Sequence, residues 1–398
     1  MKTIYDVQQF LKRFGTIIYI GDRVADLELM EEEIKELYRL QLIETKDFQM
    51  ALLLLRHQIQ IEKDKREKYK KMRDYMEKWI MGVDLGGTTT KLAIISFYGE
   101  ILHKWEIPTD LSENGKNITV NIAKAIDAKL EELGEPKSKL LGIGMGAPGP
   151  VDDATGAIYE AVNIGWKDYY PLKDLLELET SLPAFIDNDA NIAALGEMWK
   201  GAGNGAKDLV CVTLGTGVGG GIIANGSLVH GVSGAAGEIG HITVVTENGS
   251  ACNCGNSGCL ETVASATGIV RLAKEALETH TEVSMLHEII NNNGNLSAKD
   301  IFDCARSGDA LANEILQKIS KYLGLAIANI ANALNPEKVI LGGGVSKAGD
   351  QLLDPVRAAF SRYAFKRVRE STQIDIATLG NDAGVIGAAW LVKSELAN

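Results

Sequence analysis

Residues 79–96 read Trp79-Ile-Met-Gly-Val-Asp-Leu-Gly-Gly-Thr-Thr-Thr-Lys-Leu-Ala-Ile-Ile-Ser96, two apolar runs joined by a Gly-Gly turn. Residues 79–84 read as a strand that ends at the glycines, and 91–96 as the returning strand of a hairpin. The same plan recurs at 209–214 and 219–224, now around Leu214-Gly-Thr-Gly-Val-Gly-Gly-Gly221. Two lobes with a similar internal plan are the economical reading. The surrounding chain alternates helices and strands, which places it in the α/β class. Residues 118–133 form an amphipathic helix pattern, and 140–145 a strand closed by Gly-Ala-Pro-Gly-Pro at 146–150. A further strand at 183–186 leads into Asp187-Asn-Asp-Ala-Asn191. Residues 322–334 read as a helix, 338–341 as a strand before Gly342-Gly-Gly-Val345, and 384–391 as a helix of small residues.

The glycine turns carry the first chemical hint. Glycines let successive backbone N–H groups face an anion, threonine hydroxyls add donors, and Asp84 can hold a hydrated Mg²⁺. An ordinary hairpin with a capping aspartate would use the same residues. The second turn fits that plainer reading poorly. Five of the seven positions from 215 to 221 are glycine, which costs chain entropy on folding. The spacing is not that of the lysine-containing phosphate loop. The dinucleotide fingerprint is only partly imitated by Gly215, Gly217 and Gly220, with no acidic ribose partner after a following helix, which argues against NAD. Just past the strand at 183–186, Asp189 can serve as a general base, with Asn188 orienting the same substrate. Both residue types also suit an N-cap for a helix over 190–199, and the two roles can coexist.

The densest cluster lies at 238–261. His241 is followed eleven residues on by Cys252, Cys254 and Cys259, and Glu238 and Glu261 bracket the set. One histidine and three cysteines make a closed tetrahedral zinc site, and the intervening glycines permit the tight knuckle it needs. Cys211 and Cys304 fall in strand and helix patterns and read as buried packing residues. Five cysteines, an odd number with three clustered, do not form a disulfide framework, which favours reduced thiols and a cytoplasmic setting.

At 398 residues the chain has room for two or three domains, and its 45% hydrophobic content supplies their cores. The net charge of −12 argues against nucleic acid or an acidic membrane as a partner of the whole chain. No signal peptide is read at the start, and the apolar runs fall far short of a membrane span. Composition shifts near residue 75. Residues 1–75 carry a net charge of +1, no proline and only Gly15 and Gly21, whereas the rest carries −13. They read as a three-helix unit. Thr3 with Asp6 outlines a capping box, Ile34, Leu37, Tyr38 and Gln41 belong to a second helix, and Thr45 caps a third with Phe48, Leu52, Leu55 and Ile59 on its apolar face. The expected units are therefore 1–75, a first lobe at 76–190 and a second lobe at 191–398, with the last helix returning to the first lobe.

Taken together, Asp84-Leu-Gly-Gly-Thr, Asn188-Asp-Ala-Asn, the run from Leu214-Gly-Thr-Gly to Gly240-His241, Cys-x-Cys-Gly-x-x-Gly-Cys and Gly342-Gly-Gly-Val resemble the ROK family of bacterial sugar kinases, its Gram-positive glucokinases most of all. The match covers roughly 320 of the 398 residues. The resemblance implies a two-lobed actin-like ATPase fold of the ribonuclease H-like type, with ATP and a hexose in the cleft. It implies that Asp189 takes the proton from the sugar 6-hydroxyl. Asn188, Glu238, His241 and Glu261 would hold other hydroxyls, and Gly149 and Asn163 would line the sugar pocket. Asp84, Gly86, Gly87, Thr88, Thr89 and Lys91 would serve the phosphates and Mg²⁺, as would Gly215, Thr216 and Gly217. Gly343 and Gly344 would pack on the adenosine. Zinc on His241, Cys252, Cys254 and Cys259 would be structural, and a homodimer is the common expectation. Mannose, fructose and N-acetylated hexosamines use closely related pockets.

Residues 1–72 lie outside that resemblance. Tyr5-Asp-Val-Gln-Gln, Gly21-Asp-Arg and Ala25-Asp-x-Glu-Leu-Met resemble a small helical bacterial family of unclear function, so the chain reads as a fusion. The competing function is a sugar-responsive transcriptional regulator, because ROK repressors carry an N-terminal DNA-binding domain and the second and third helices outline a helix–turn–helix. Against it, only Lys46, Arg56 and Lys63 could meet a groove early in or after the third helix, and no β-wing follows.

Overall fold

The computed structural model describes residues 1–280 and 282–397. It divides into two compact units, Met1–Glu77 and Lys78–Asn398.

The first unit is three helices, α1 (Ile4–Arg13), α2 (Arg23–Arg39) and α3 (Thr45–Met76). Thr3 and Asp6 close a reciprocal capping box at α1. The third helix departs from expectation at its start: Thr45 is already helical, and the cap is Glu44, which makes no side-chain bond. Gln41 lies beyond the end of α2, with a positive φ of 60°. Leu27, Met30 and Ile34 of α2 and Ala51, Leu55 and Ile59 of α3 share one apolar core. Ion pairs run between the same two helices: Arg56 to Glu31 at 3.1 Å, Lys63 to Glu28 at 2.7 Å and Arg66 to Asp22 at 2.5 Å. The numbers climb on one helix as they fall on the other, so α2 and α3 run antiparallel. Two of the three cations that could have met a DNA groove are thus paired with carboxylates of α2.

The second unit holds two five-stranded mixed sheets. The first is built from β1 (Trp79–Leu85), β2 (Thr89–Ser96), β3 (Ile101–Pro108), β4 (Leu140–Ala147) and β5 (Ala184–Asn188), in the order β3-β2-β1-β4-β5. The second is built from β6 (Leu209–Leu214), β7 (Val218–Ala224), β8 (Ser227–Leu228), β9 (Lys338–Gly342) and β10 (Gln373–Ile376), in the order β10-β9-β6-β7-β8. In each sheet the leading strand pairs antiparallel with its hairpin partner and parallel with the strand on its other side. The outermost pairs repeat the pattern. The two lobes are therefore built on one topological plan, which the two strand–glycine–strand stretches anticipate.

Helices α4 (Ile118–Leu133) and α5 (Leu172–Thr180) add apolar side chains to the core of the first sheet. After β5 comes α6 (Asp189–Lys200). The second lobe carries α7 (Glu261–Ala264), α8 (Ala266–Thr279), α9 (Met285–Asn293), α10 (Ala298–Arg306) and α11 (Ala310–Leu334), then α12 (Gly343–Ser346), α13 (Asp350–Tyr363) and α14 (Lys366–Ser371). The chain ends in α15 (Ala383–Ala397), which packs against α6, β1 and β4. That last contact is made backbone to backbone. A Cβ on Gly144 of β4 would lie 1.8 Å from the carbonyl oxygen of Ala388, and one on Gly387 would lie 1.7 Å from that of Ile192. The glycines are what let the terminal helix seat between the sheet and α6. No helix among the described residues is long and apolar enough to cross a membrane.

Candidate active site

The β6–β7 turn and the strand residues that flank the β1–β2 turn line a cleft of about 480 Å³, with Asp84, Lys91, Asp189, Gly215, Gly217 and Glu261 in its walls; Gly86, Gly87, Thr88 and Thr89 are not among its lining. Each turn is braced from outside. Gly86 N–H donates to the Thr89 carbonyl at 3.2 Å, and the Thr109 hydroxyl to the Gly86 carbonyl at 2.7 Å. In the second turn Gly215 N–H donates to the Gly217 carbonyl at 2.9 Å, while the Thr267 hydroxyl holds the Thr216 carbonyl at 2.8 Å. Asp84 and Lys91 stand directly opposite each other across the hairpin, with Nζ 3.0 Å from Oδ2. Lys91 is therefore a cleft residue with a carboxylate partner rather than a free surface lysine.

Asp189 opens α6 and Asn188 is its N-cap. The Asn188 Oδ1 accepts from the N–H groups of Ala190 at 2.9 Å and Asn191 at 3.4 Å, and its Nδ2 donates to the Gly149 carbonyl at 3.1 Å. The cap reading of Asn188 and its place beside the base candidate thus hold together in one side chain. The Asp189 carboxylate opens toward the cleft, yet protein walls displace much of the bulk water around it. That desolvation, with the charges of Asp84 and Glu238 added, pushes its pKa up to about 6, against the Ala190 N–H bond and the Asn188 side chain, which favour the anion. A group working as a proton acceptor must be ionised. Turnover is therefore expected to be full at neutral pH and to fall tenfold per pH unit below about 6, read from kcat between pH 5 and 8.

The residues expected to hold a sugar come from several directions. Glu238 Oε2 lies 3.7 Å from His241 Nε2. Glu261 Oε2 accepts the Val218 N–H at 3.0 Å, so this carboxylate also ties α7 to the second glycine turn. Asn163 is exposed on the loop between β4 and α5.

The other face of His241 meets the cysteines. Its Nδ1 is 3.6 Å from Cys252 Sγ, Cys254 Sγ is 3.7 Å from Cys259 Sγ, and the four donor atoms lie within 4.8 Å of one another. Zinc–sulfur bonds of about 2.3 Å at the tetrahedral angle span a sulfur–sulfur edge of close to 3.7 Å, so the donor set fits that ion. Burial and the two neighbouring sulfurs push the Cys259 thiol up to about 12. A divalent cation is the partner that would draw off its proton. Cys211 and Cys304 are buried, as expected.

Gly343 has a φ of +83°, and a Cβ there would lie 2.4 Å from the Leu214 carbonyl oxygen. It lets α12 begin against the second glycine turn. Cavities of about 440 and 330 Å³ flank Gly344, lined on one side by Thr213 and Asn381 and on the other by Phe302 and Arg306. These four carry no motif. Phe302 and Arg306 read in the sequence as ordinary positions of an amphipathic helix, and only their meeting with the glycine turn in space marks them.

The family model described as ROK family matches residues 80–395. The chain belongs to the ROK family. A second model, described as YqgQ-like, matches residues 1–61, in line with the fusion read from the sequence. The glucokinase of Halalkalibacterium halodurans is 59% identical over 319 residues, 80% of this chain and 96% of that relative. The glucokinase of Thermotoga maritima is 38% identical over 80% of this chain and 98% of its own length. Among solved structures, a ROK family glucokinase from Streptomyces griseus in complex with glucose and AMPPNP superposes with a TM-score of 0.65 at 36% identity, covering 79% of this chain and 99% of the other.

Proposed function

We propose that this ROK chain is a glucokinase that transfers the γ-phosphoryl group of ATP to the 6-hydroxyl of glucose. The observation that carries the reading is the position of Asp189: a carboxylate of raised pKa in the cleft that Asp84, Lys91 and the β6–β7 glycine turn also line. It can accept the hydroxyl proton as the bond from O6 to phosphorus forms and the bond to the ADP leaving group breaks. Glu238, His241 and Asn188 orient the sugar, and backbone N–H groups of the two turns receive the phosphates. Asp84 would hold the hydrated Mg²⁺ that accompanies the nucleotide, and that ion would neutralise phosphate charge. Fixed geometry supplies much of the acceleration in such a transfer.

The test is ATP-dependent phosphorylation of glucose, mannose, fructose and N-acetylglucosamine by the full chain. Glucose is expected to give the highest kcat/KM. No product from any hexose, with glucose still bound, would overturn the kinase reading and make DNA binding the next question. Against the regulator reading stand the ion pairs that occupy Arg56 and Lys63, and the glucokinase relatives.

Zinc on His241, Cys252, Cys254 and Cys259 would fix the imidazole's orientation and tautomer so that Nε2 faces the sugar, a structural task. Metal analysis of freshly purified protein is expected to find one zinc per chain, lost in Cys254→Ser; metal-free, fully active protein would remove the zinc assignment. A cytoplasmic homodimer is the proposed setting.

A further inference from the structure

Asp187, the residue two before the base candidate, is only 3% exposed and takes no part in the chemistry above. Its Oδ1 accepts the Asn188 N–H at 2.7 Å and the Asn191 Nδ2 at 2.8 Å. It therefore ties the strand end to the first turn of α6, the turn that carries Asn188 and Asp189. A carboxylate this deeply enclosed requires compensation. The compensation arrives from the other lobe. His230, two residues past β8, places Nε2 at 2.7 Å from Asp187 Oδ2. Its Nδ1 lies 3.6 Å from Asp153 Oδ1, on the loop after β4. The bond to Asp187 and the charges of Asp187 and Asp153 raise the histidine's pKa, against a loss of solvation. Asp187 from β5 and Asp153 from the β4–α5 loop are the charged groups that bear on it among the described residues.

The segment that delivers His230 is itself held to the first lobe. A Cβ on Gly234 would lie 2.4 Å from the Val151 carbonyl oxygen, so the two loops touch at the backbone. Ala236 N–H donates to the His230 carbonyl at 3.0 Å, which closes the segment into a compact turn. Immediately after that turn come Glu238 and His241. One imidazole thus joins the segment that grips the sugar to the carboxylate that fixes the base-bearing turn.

We propose that His230 is a positioning residue for phosphoryl transfer, acting through Asp187 to hold Asn188 and Asp189 in register with the sugar-binding segment. The assignment rests on the glucokinase reading above. Misplacement of reacting groups by about 1 Å costs on the order of 10²-fold in rate. Removing the imidazole also leaves Asp187 as an unpaired negative charge two residues from Asp189, whose pKa Asp84 and Glu238 already push upward. Loss of the cation should therefore move the acid limb of the rate profile to higher pH, which a merely structural defect would not do.

The experiment compares wild type, His230→Ala and His230→Gln for kcat, both KM values and the kcat profile from pH 5 to 9, with glucose affinity measured by calorimetry. In His230→Ala, kcat is expected to fall about 10- to 100-fold with the ATP KM within about threefold, and the acid limb to rise. His230→Gln keeps an N–H for Asp187 and should recover most of kcat, yet it lacks the charge, so its acid limb should still rise. A folded His230→Ala with wild-type kcat and an unmoved limb overturns the proposal. Where that variant does not fold, a limb at the wild-type position in His230→Gln does so. An inactive wild type would instead mark failure of the glucokinase reading. The assignment is then decided by calorimetry: His230→Ala is expected to bind glucose more weakly than wild type, because Asn188 also leaves its register with the sugar-binding segment, and equal affinity overturns it.

Discussion

Asp189→Asn is expected to bind glucose with near wild-type affinity and to lose about 10²- to 10⁴-fold in kcat. The substitution is isosteric. An asparagine Oδ1 can still accept the Ala190 N–H that reaches Asp189 Oδ1 at 2.8 Å, so the start of α6 keeps its geometry. What disappears is the lone pair basic enough to take a proton at neutral pH. The fold should not suffer, because Asp189 sits in the field of Asp84 and Glu238 and is penalised by desolvation when charged. Removing its charge relieves both strains, and the melting temperature should hold or rise. Loss of turnover in a protein that binds glucose and melts no lower than wild type is the signature of a lost base. Wild-type turnover in the same protein would take Asp189 out of that role.

Gly144→Ala is expected to produce a large loss of stability from a single methyl group. Its Cβ would stand 1.8 Å from the Ala388 carbonyl oxygen, an encounter with backbone that no side-chain rotation can relieve. Either β4 or α15 must move. Overpacking of this kind costs about 1–3 kcal/mol and occasionally more, and a contact with rigid backbone belongs at the upper end. The displacement would also reach the cleft. A Cβ on Gly384, in the first turn of α15, would lie 2.7 Å from Asp84 Cγ, so that turn presses on a carboxylate that lines the cleft. A lower unfolding midpoint together with reduced kcat/KM is the expected result. An unchanged midpoint in urea or on heating would show that α15 seats more loosely than these distances imply.

The sequence made much of this legible, and unevenly. Motifs that are local in the chain were readable because their physics is local: a glycine run needs a tight turn, and Cys-x-Cys-Gly-x-x-Gly-Cys needs a knuckle. The shared plan of the lobes followed from two hairpins whose apolar runs and glycines match. Elements without such marks are not legible in the sequence. Strand β3 alternates between half-buried and exposed residues along its whole length, because Trp105 and Ile107 on one face lean on the core while the residues that alternate with them face solvent. Its Ile101-Leu-His-Lys-Trp-Glu-Ile therefore lacks the continuous apolar run that marked β1. Thr45 has the chemistry of a cap, yet the helix already includes it, and one residue's shift is below what composition can resolve. The bond between His230 and Asp187 joins a loop residue to a strand residue 43 positions earlier in the other lobe, so neither side chain announces the other. Phe302 and Arg306 owe their place to the start of α12, far along the chain.

The seating of α15 against β1 and β4 has a consequence for biosynthesis. The residues that cover this face of the first sheet are synthesised after every strand of both sheets. The helical unit at the beginning of the chain has its own core and can fold while translation continues. The second unit must wait, that face of its first sheet uncovered, until α15 emerges. Nascent chains stalled before residue 383 should thus be protease-resistant through the leading helices and cleavable beyond them, and emergence of α15 should act as the folding trigger.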